Sequence, residues 1–281
     1  WSKAVDIHRA LQILGPDDIE VTIGLINALS GSGRAAEALE VLAEARRLSP
    51  GWQGDVRLDL AESFASRELG DYARMQAVAA RAVATGRARG QRHLVAQARR
   101  LEGQAYGWLG RLAEARSAHA EARRFYLEVG DQRGVAIAWN DEGLIDLAQG
   151  RLDEAERKWR EALSIGRAMG DRDAVALAKN NLTLVLERRG DDAGVRTYLE
   201  EALATWEETG RDARVLLAVG NLAILHMRTG NLSEARRLGE RALTESDLQK
   251  FFNEVVTTVG EILDVELVKV LELLPGDAEL L

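Results

Sequence analysis

The stretch GLIDLAQGRLDEAERKWREA, residues 143–162, decides the fold. Gly150 divides two apolar-periodic runs of helix length, and Gly143, Ala155 and Ala162 place small residues on either side of it. A glycine just past a helix end accepts the left-handed conformation without a Cβ penalty. The spacing therefore predicts a helix, a tight turn and a second helix. The same punctuation recurs outward in both directions. Gly90, Gly110, Gly130, Gly150, Gly170, Gly190, Gly210 and Gly230 fall every 20 residues. A fixed period of this kind signals a repeat architecture, with two helices per 40 residues.

Small residues mark the close helix contacts. Ala115, Ala155 and Ala235 stand five positions after alternate glycines, with Val195 in the same place, and Ala122, Ala162, Ala202 and Ala242 follow seven later. Upstream, Gly70 precedes Gly110 by 40 and Gly33 precedes Gly70 by 37, while Ala4 and Ala38, like Pro16 and Pro50, are 34 apart.

This pattern resembles the tetratricopeptide repeat, whose small residues, turn glycine and closing proline occupy these places. The best-matched sets are Gly103, Gly110, Ala115 and Ala122, and Gly143, Gly150, Ala155 and Ala162. Ile26, Ser63, Thr183 and Ala223 depart from the small-residue place in the first helix, and Met75 and Val195 from that in the second. The resemblance covers residues 1–246 and implies an all-α fold, a right-handed superhelical solenoid of helix–turn–helix repeats. Residues 1–14 read as the second helix of a truncated repeat. Full repeats follow at 17–50, 54–88, 93–129, 133–169, 173–209 and 213–246.

Residues 247–281 break the register, with Val270 where the next glycine would fall. DLQKFFNEVVTTVGEIL reads as an acidic helix with Phe251, Val255, Val259 and Ile262 on one face. The segments LVKVLEL and PGD read as a strand and a turn. This tail is similar to the opening of a GAF domain, a small sensory fold. A capping helix that closes the solenoid, or a degenerate further repeat, reads it equally well.

Composition narrows the function. The chain has 281 residues, 46% of them apolar, and no cysteine. Disulfides, thiolate zinc sites and cysteine nucleophiles are excluded. No run of about 18 uncharged apolar residues suggests a membrane span. The net charge is −8; residues 247–281 hold eight acids and two lysines, hence −6, which leaves −2 on residues 1–246. Such a body carries no basic footprint for nucleic acid. The chain opens at Trp1, which predicts a fragment of a longer protein. Arginine outnumbers lysine 32 to 5, as in a GC-rich genome. The expected setting is bacterial and cytoplasmic.

No catalytic constellation emerges, and neither a cofactor nor a metal site is expected. His8, His93, His119 and His226 show no helical zinc spacing, and the repeat places three of them at packing positions. Gly31-Ser-Gly-Arg34 lacks the lysine of a phosphate loop and reads as an interhelix turn. Glu200/Glu201 and Glu207/Glu208 read as solvated faces.

The resemblance also implies that the first helix of each repeat lines a groove. Asn181 and Asn221 take the place where that family presents an amide to an extended peptide backbone, and Asp141 takes it one repeat earlier. Asn140 and Asn180 stand beside them. Further along the same face come Trp108, Ala148, Arg188 and Arg228. An amide offers both a donor and an acceptor, and paired arginines suit a carboxylate. The expected partner is a protein or an extended, acidic peptide, bound by a scaffold within a larger signalling protein. Two alternatives stay open: a sensor of a small ligand or signalling peptide, and a self-association module forming a homodimer.

Overall fold

A computed structural model of the protein describes residues 2–14, 18–210 and 212–242. The C-terminal cap or GAF-like tail, and Pro16, lie outside the described residues. Among the described residues there are thirteen α-helices and no strand. In chain order they are α1 (Ser2–Leu14), α2 (Ile19–Gly31), α3 (Ala35–Leu48), α4 (Val56–Glu68), α5 (Tyr72–Ala88), α6 (Arg92–Trp108), α7 (Leu112–Glu128), α8 (Gln132–Ala148), α9 (Leu152–Met169), α10 (Arg172–Arg188), α11 (Asp192–Glu208), α12 (Asp212–Arg228) and α13 (Leu232–Ala242). The expected class, an all-α helix–turn–helix repeat fold, is the one observed.

The described residues divide into two compact units, one running up to Asn181 and the other starting at Leu182. In the first, α2/α3, α4/α5, α6/α7 and α8/α9 form hairpins. Each hairpin packs on the next, and the first helices α2, α4, α6 and α8 touch in sequence. In the second, α11 packs on α12 and α12 on α13. No hairpin buries its apolar face alone, so stability comes from the stack.

The turns follow from the sequence. Gly150 has φ 73° and Gly170 φ 66°, backbone that an L side chain adopts at a cost of about 1–2 kcal/mol. Where aspartate follows the turn glycine, it caps the next helix. Asp71 accepts from Arg74 N at 3.0 Å, Asp131 from Gly134 N at 2.8 Å and Asp191 from Gly194 N at 2.9 Å. Such a cap stabilises by about 1 kcal/mol.

Small residues admit large ones from the partner helix. A Cβ on Gly143 would lie 2.3 Å from Trp159 Nε1, and one on Gly103 2.8 Å from the His119 ring. Trp159 is fully buried and donates its indole N–H to the Asn140 carbonyl at 3.1 Å. Ala115, Ala122, Ala155 and Ala162 are fully buried. His8 of α1 lies against Gly24 of α2, a contact between successive repeats, while Ile26, at the small-residue place of the first full repeat, is fully buried.

Candidate functional site

In the first unit, the same face of α4, α6 and α8 repeats every 40 residues. Leu60 and Arg100 share one level, where α8 has the buried Asn140, and Phe64, Gln104 and Leu144 share the next. Arg67, Gly107 and Leu147 make a third. Two adjoining depressions open on this face. The first, of about 500 Å³, is lined by Gln104, Gly107, Trp108, Leu112, His119, Asp141, Leu144, Ile145 and Ala148, with Arg67 at its edge. The second, of about 410 Å³, is lined by Leu60, Phe64, Leu101, Ile137 and Tyr126, with Arg67, His93, Arg100, Asp131 and Arg133.

An ion pair stands where the two meet. Arg100 Nη1 lies 3.4 Å from Asp141 Oδ2, with the guanidinium on the second depression and the carboxylate on the first. Burial works to lower the Arg100 pKa, and the field of Asp141 together with Tyr126 outweighs it, so the guanidinium stays charged. Gln104 Nε2 reaches the same Asp141 oxygen at 3.5 Å, and His119 Nδ1 lies 3.8 Å from it. Burial holds His119 below its ordinary pKa, with Asp141 opposing and Arg100 reinforcing the shift. His119 is therefore neutral at pH 7. Trp108 is 65% exposed at the mouth and stacks on Tyr72, with centroids 5.3 Å apart and planes 11° apart. An exposed tryptophan beside a concave, mainly apolar wall is the kind of anchor that dominates interfaces. Arg67 lies over the Phe64 ring at 4.5 Å and pairs with Glu68 at 2.7 Å.

The sequence-predicted residues divide among several places. Trp108 and Asp141 line the first depression. Asn140 and Asn181 are buried and face each other: Asn181 Nδ2 donates to Asn140 Oδ1 at 3.0 Å, and Asn140 Nδ2 donates to the Ala136 carbonyl at 3.0 Å. Asn180 is buried too. Arg188, Asn221 and Arg228 belong to the second unit. There Arg188 is exposed, Asn221 is half-buried, and Arg228 pairs with Asp192 at 2.6 Å. Burial pushes the nearby Glu187 carboxyl up, Arg228 opposes this and Asp192 adds to it.

Sequence reasoning missed the other lining residues, Phe64, Arg67, Arg100, Gln104 and Leu144. Their 40-residue spacing was the available signal. It also missed the buried carboxylates. Glu62, Glu102 and Glu142 recur every 40 residues, each just before the small residue of the first helix, and all are buried. Glu62 and its neighbour Asp59 take arginines from both flanking helices, Arg46 at 2.6 Å from each and Arg81 at 3.0 and 2.8 Å. Glu142 and Asp146 enclose Lys158. By contrast Glu200, Glu201, Glu207 and Glu208 are exposed, as expected. Among the described residues no group of three or more His, Asp or Glu is placed to hold a metal, and no helix is long and apolar enough to cross a membrane.

Comparison with known proteins agrees with this architecture. Residues 134–208 and 215–245 each match a family model of the tetratricopeptide repeat. These segments are tetratricopeptide repeats. No curated protein is matched by the chain. Several solved structures share the fold. The Rap protein complexed with competence and sporulation factor has a TM-score of 0.69 at 10% identity, covering 87% of this chain and 71% of that one. NprR in complex with its cognate peptide NprX has a TM-score of 0.67 at 12% identity, covering 88% and 74%. BtubC (BKLC) from P. vanneervenii has a TM-score of 0.55 at 22% identity, covering 78% and 91%.

Proposed function

We propose that this chain is a protein-interaction module that holds an extended peptide segment along α4, α6 and α8. The observation that carries the reading is the pair of adjoining depressions on that face, walled by Phe64, Leu144, Ile137 and Trp108. Helical-repeat proteins bind through extended faces of this kind. NprR, whose fold this chain shares, holds its cognate peptide NprX, which lends support by fold alone. An acidic residue of the segment would sit over the second depression, where Arg67, His93, Arg100 and Arg133 gather, exchanging with the carboxylates that already pair with them, Glu68, Asp131, Asp141 and Asp171. In the second unit Arg188, Asn221 and Arg228 serve as a further peptide-contacting set; in the first, Asn140, Asn180 and Asn181 are buried within the stack. The parent protein is a cytoplasmic bacterial regulator.

Selection of a displayed peptide library on the protein tests this. Enriched peptides should lose binding at least tenfold to the Trp108→Ala, Arg100→Gln variant while circular dichroism stays unchanged. Equal binding to parent and variant would move the site off this face. A separate Arg188→Glu, Arg228→Glu variant that binds the same peptides unchanged would remove the second unit from it.

A further inference from the structure

The polar end of the first depression is under-bonded. Gln104 Oε1 and His119 Nδ1 are both buried, and neither has a hydrogen-bond partner among the described residues. His119 is only 1% exposed, yet it lines the depression. Gln104 Nε2 meets only Asp141 Oδ2, at 3.5 Å, the outer limit of a hydrogen bond. His119 Nδ1 stands 3.8 Å from that same oxygen, beyond the limit. Three polar side chains thus surround one small volume without bonding well to each other. Buried polar groups are almost always paired, so each exception calls for a physical account.

The identity of the missing partner follows from charge and from donor count. Arg100 offsets Asp141, Glu68 offsets Arg67, and His119 is neutral. With these charges offset, the depression offers no net charge to draw a cation or an anion. A neutral group must supply an N–H for Gln104 Oε1 and an acceptor for Gln104 Nε2, and it must answer His119 Nδ1 as donor or acceptor according to the imidazole tautomer. A carboxamide carries two N–H donors and one carbonyl acceptor on the same planar group. The aliphatic stem of its side chain would lie on Trp108, Leu144 and Ile145, which wall the same depression.

We infer that the depression between α6 and α8 is a side-chain pocket for a carboxamide, taken from a glutamine or asparagine of the bound segment. Gln104 forms a reciprocal amide–amide pair with it. The second N–H of the ligand goes to Asp141, and its carbonyl or N–H meets His119 Nδ1 according to the tautomer. This rests on the peptide-binding reading and adds to it the residue class that enters the groove beside Trp108.

The test is an NMR titration of protein labelled with 5-fluorotryptophan, the Trp108 resonance being assigned by its loss in Trp108→Phe. The probes are N-acetyl-glutamine methylamide and its glutamate, lysine and norleucine counterparts. The glutamine probe should shift the Trp108 signal saturably and bind at least about fivefold more tightly than the other three. Gln104→Leu should abolish that preference and leave norleucine binding unchanged, and Asp141→Asn gives a second variant with the same side-chain volume. Equal binding of all four probes, a preference for either charged probe, or no movement of Trp108 would overturn the pocket. Tighter binding of free L-glutamine than of the capped probe would overturn its assignment to a residue within a chain. Library peptides that still require Trp108 and Arg100 would keep the groove even if this pocket failed.

Discussion

Replacing Lys158 with methionine probes the most demanding electrostatic arrangement in the first unit. Lys158 Nζ lies 2.6 Å from Asp146 Oδ2 and 3.0 Å from Glu142 Oε2, and all three side chains are at most 5% exposed. Methionine preserves the length and the apolar stem, so little packing is lost. The two carboxylates, however, stay buried without their shared cation. Removing one partner of a buried ion pair costs about 3–5 kcal/mol. Here both carboxylates keep arginines: Arg123 lies 2.7 Å from Glu142, and Arg151 and Arg116 lie 2.5 and 3.2 Å from Asp146. The expected loss is therefore about 2–3 kcal/mol. Helical repeats open locally, so hydrogen exchange of α8 and α9 is the suitable assay. A loss of that size accelerates exchange there roughly 30- to 150-fold. Burial alone would raise the Asp146 carboxyl, but hydrogen bonds from Lys158 and Arg151 outweigh it and hold the group below its ordinary 3.8. A lowered carboxyl stabilises fully above the ordinary value and loses that contribution as the pH falls through the folded-state value. The difference between parent and variant should consequently shrink in acid. Exchange in α8 and α9 that is unchanged at neutral pH would refute the reasoning and show the carboxylates to be solvated.

Two glycines of one repeat should differ in kind. Gly143→Ala forces a Cβ within 2.3 Å of Trp159 and should cost about 1–3 kcal/mol, seen as a lower denaturation midpoint and blue-shifted tryptophan emission lost at lower denaturant. Gly150→Ala meets nothing within 4 Å, so only its backbone strain of about 1–2 kcal/mol should appear, with the Trp159 environment intact. Asp191→Ala removes the cap from α11 and should cost about 1 kcal/mol in the second unit, measured by exchange in α11, with the groove of the first unit unaffected. Trp108→Ala alone should leave folding within about 1 kcal/mol of the parent, since the residue is 65% exposed, while peptide binding falls by more than tenfold.

Much of the fold was legible because its signals are local. A positive φ at a turn every 20 residues needs glycine whatever surrounds it, and an aspartate after that glycine caps the next helix by itself. The pairing of Gly143 with Trp159 and of Gly103 with His119 spans one hairpin, so a fixed spacing reports it. These features determined the helices, the turns and the repeat. They could not say which way a polar residue on a first helix would point. Asn140 and Asp141 are adjacent and about 100° apart on one helix. The stacking of neighbouring hairpins alone decides that Asn140 turns inward to meet Asn181 while Asp141 lines the groove opposite Arg100. The same holds for Glu142, whose sequence matches any solvated glutamate. It is a buried ion-pair residue because α9 delivers Lys158 and α7 delivers Arg123 to the same place. Periodicity is a property of one helix, whereas burial and charge compensation belong to the contact between helices, and only the tertiary structure supplies that.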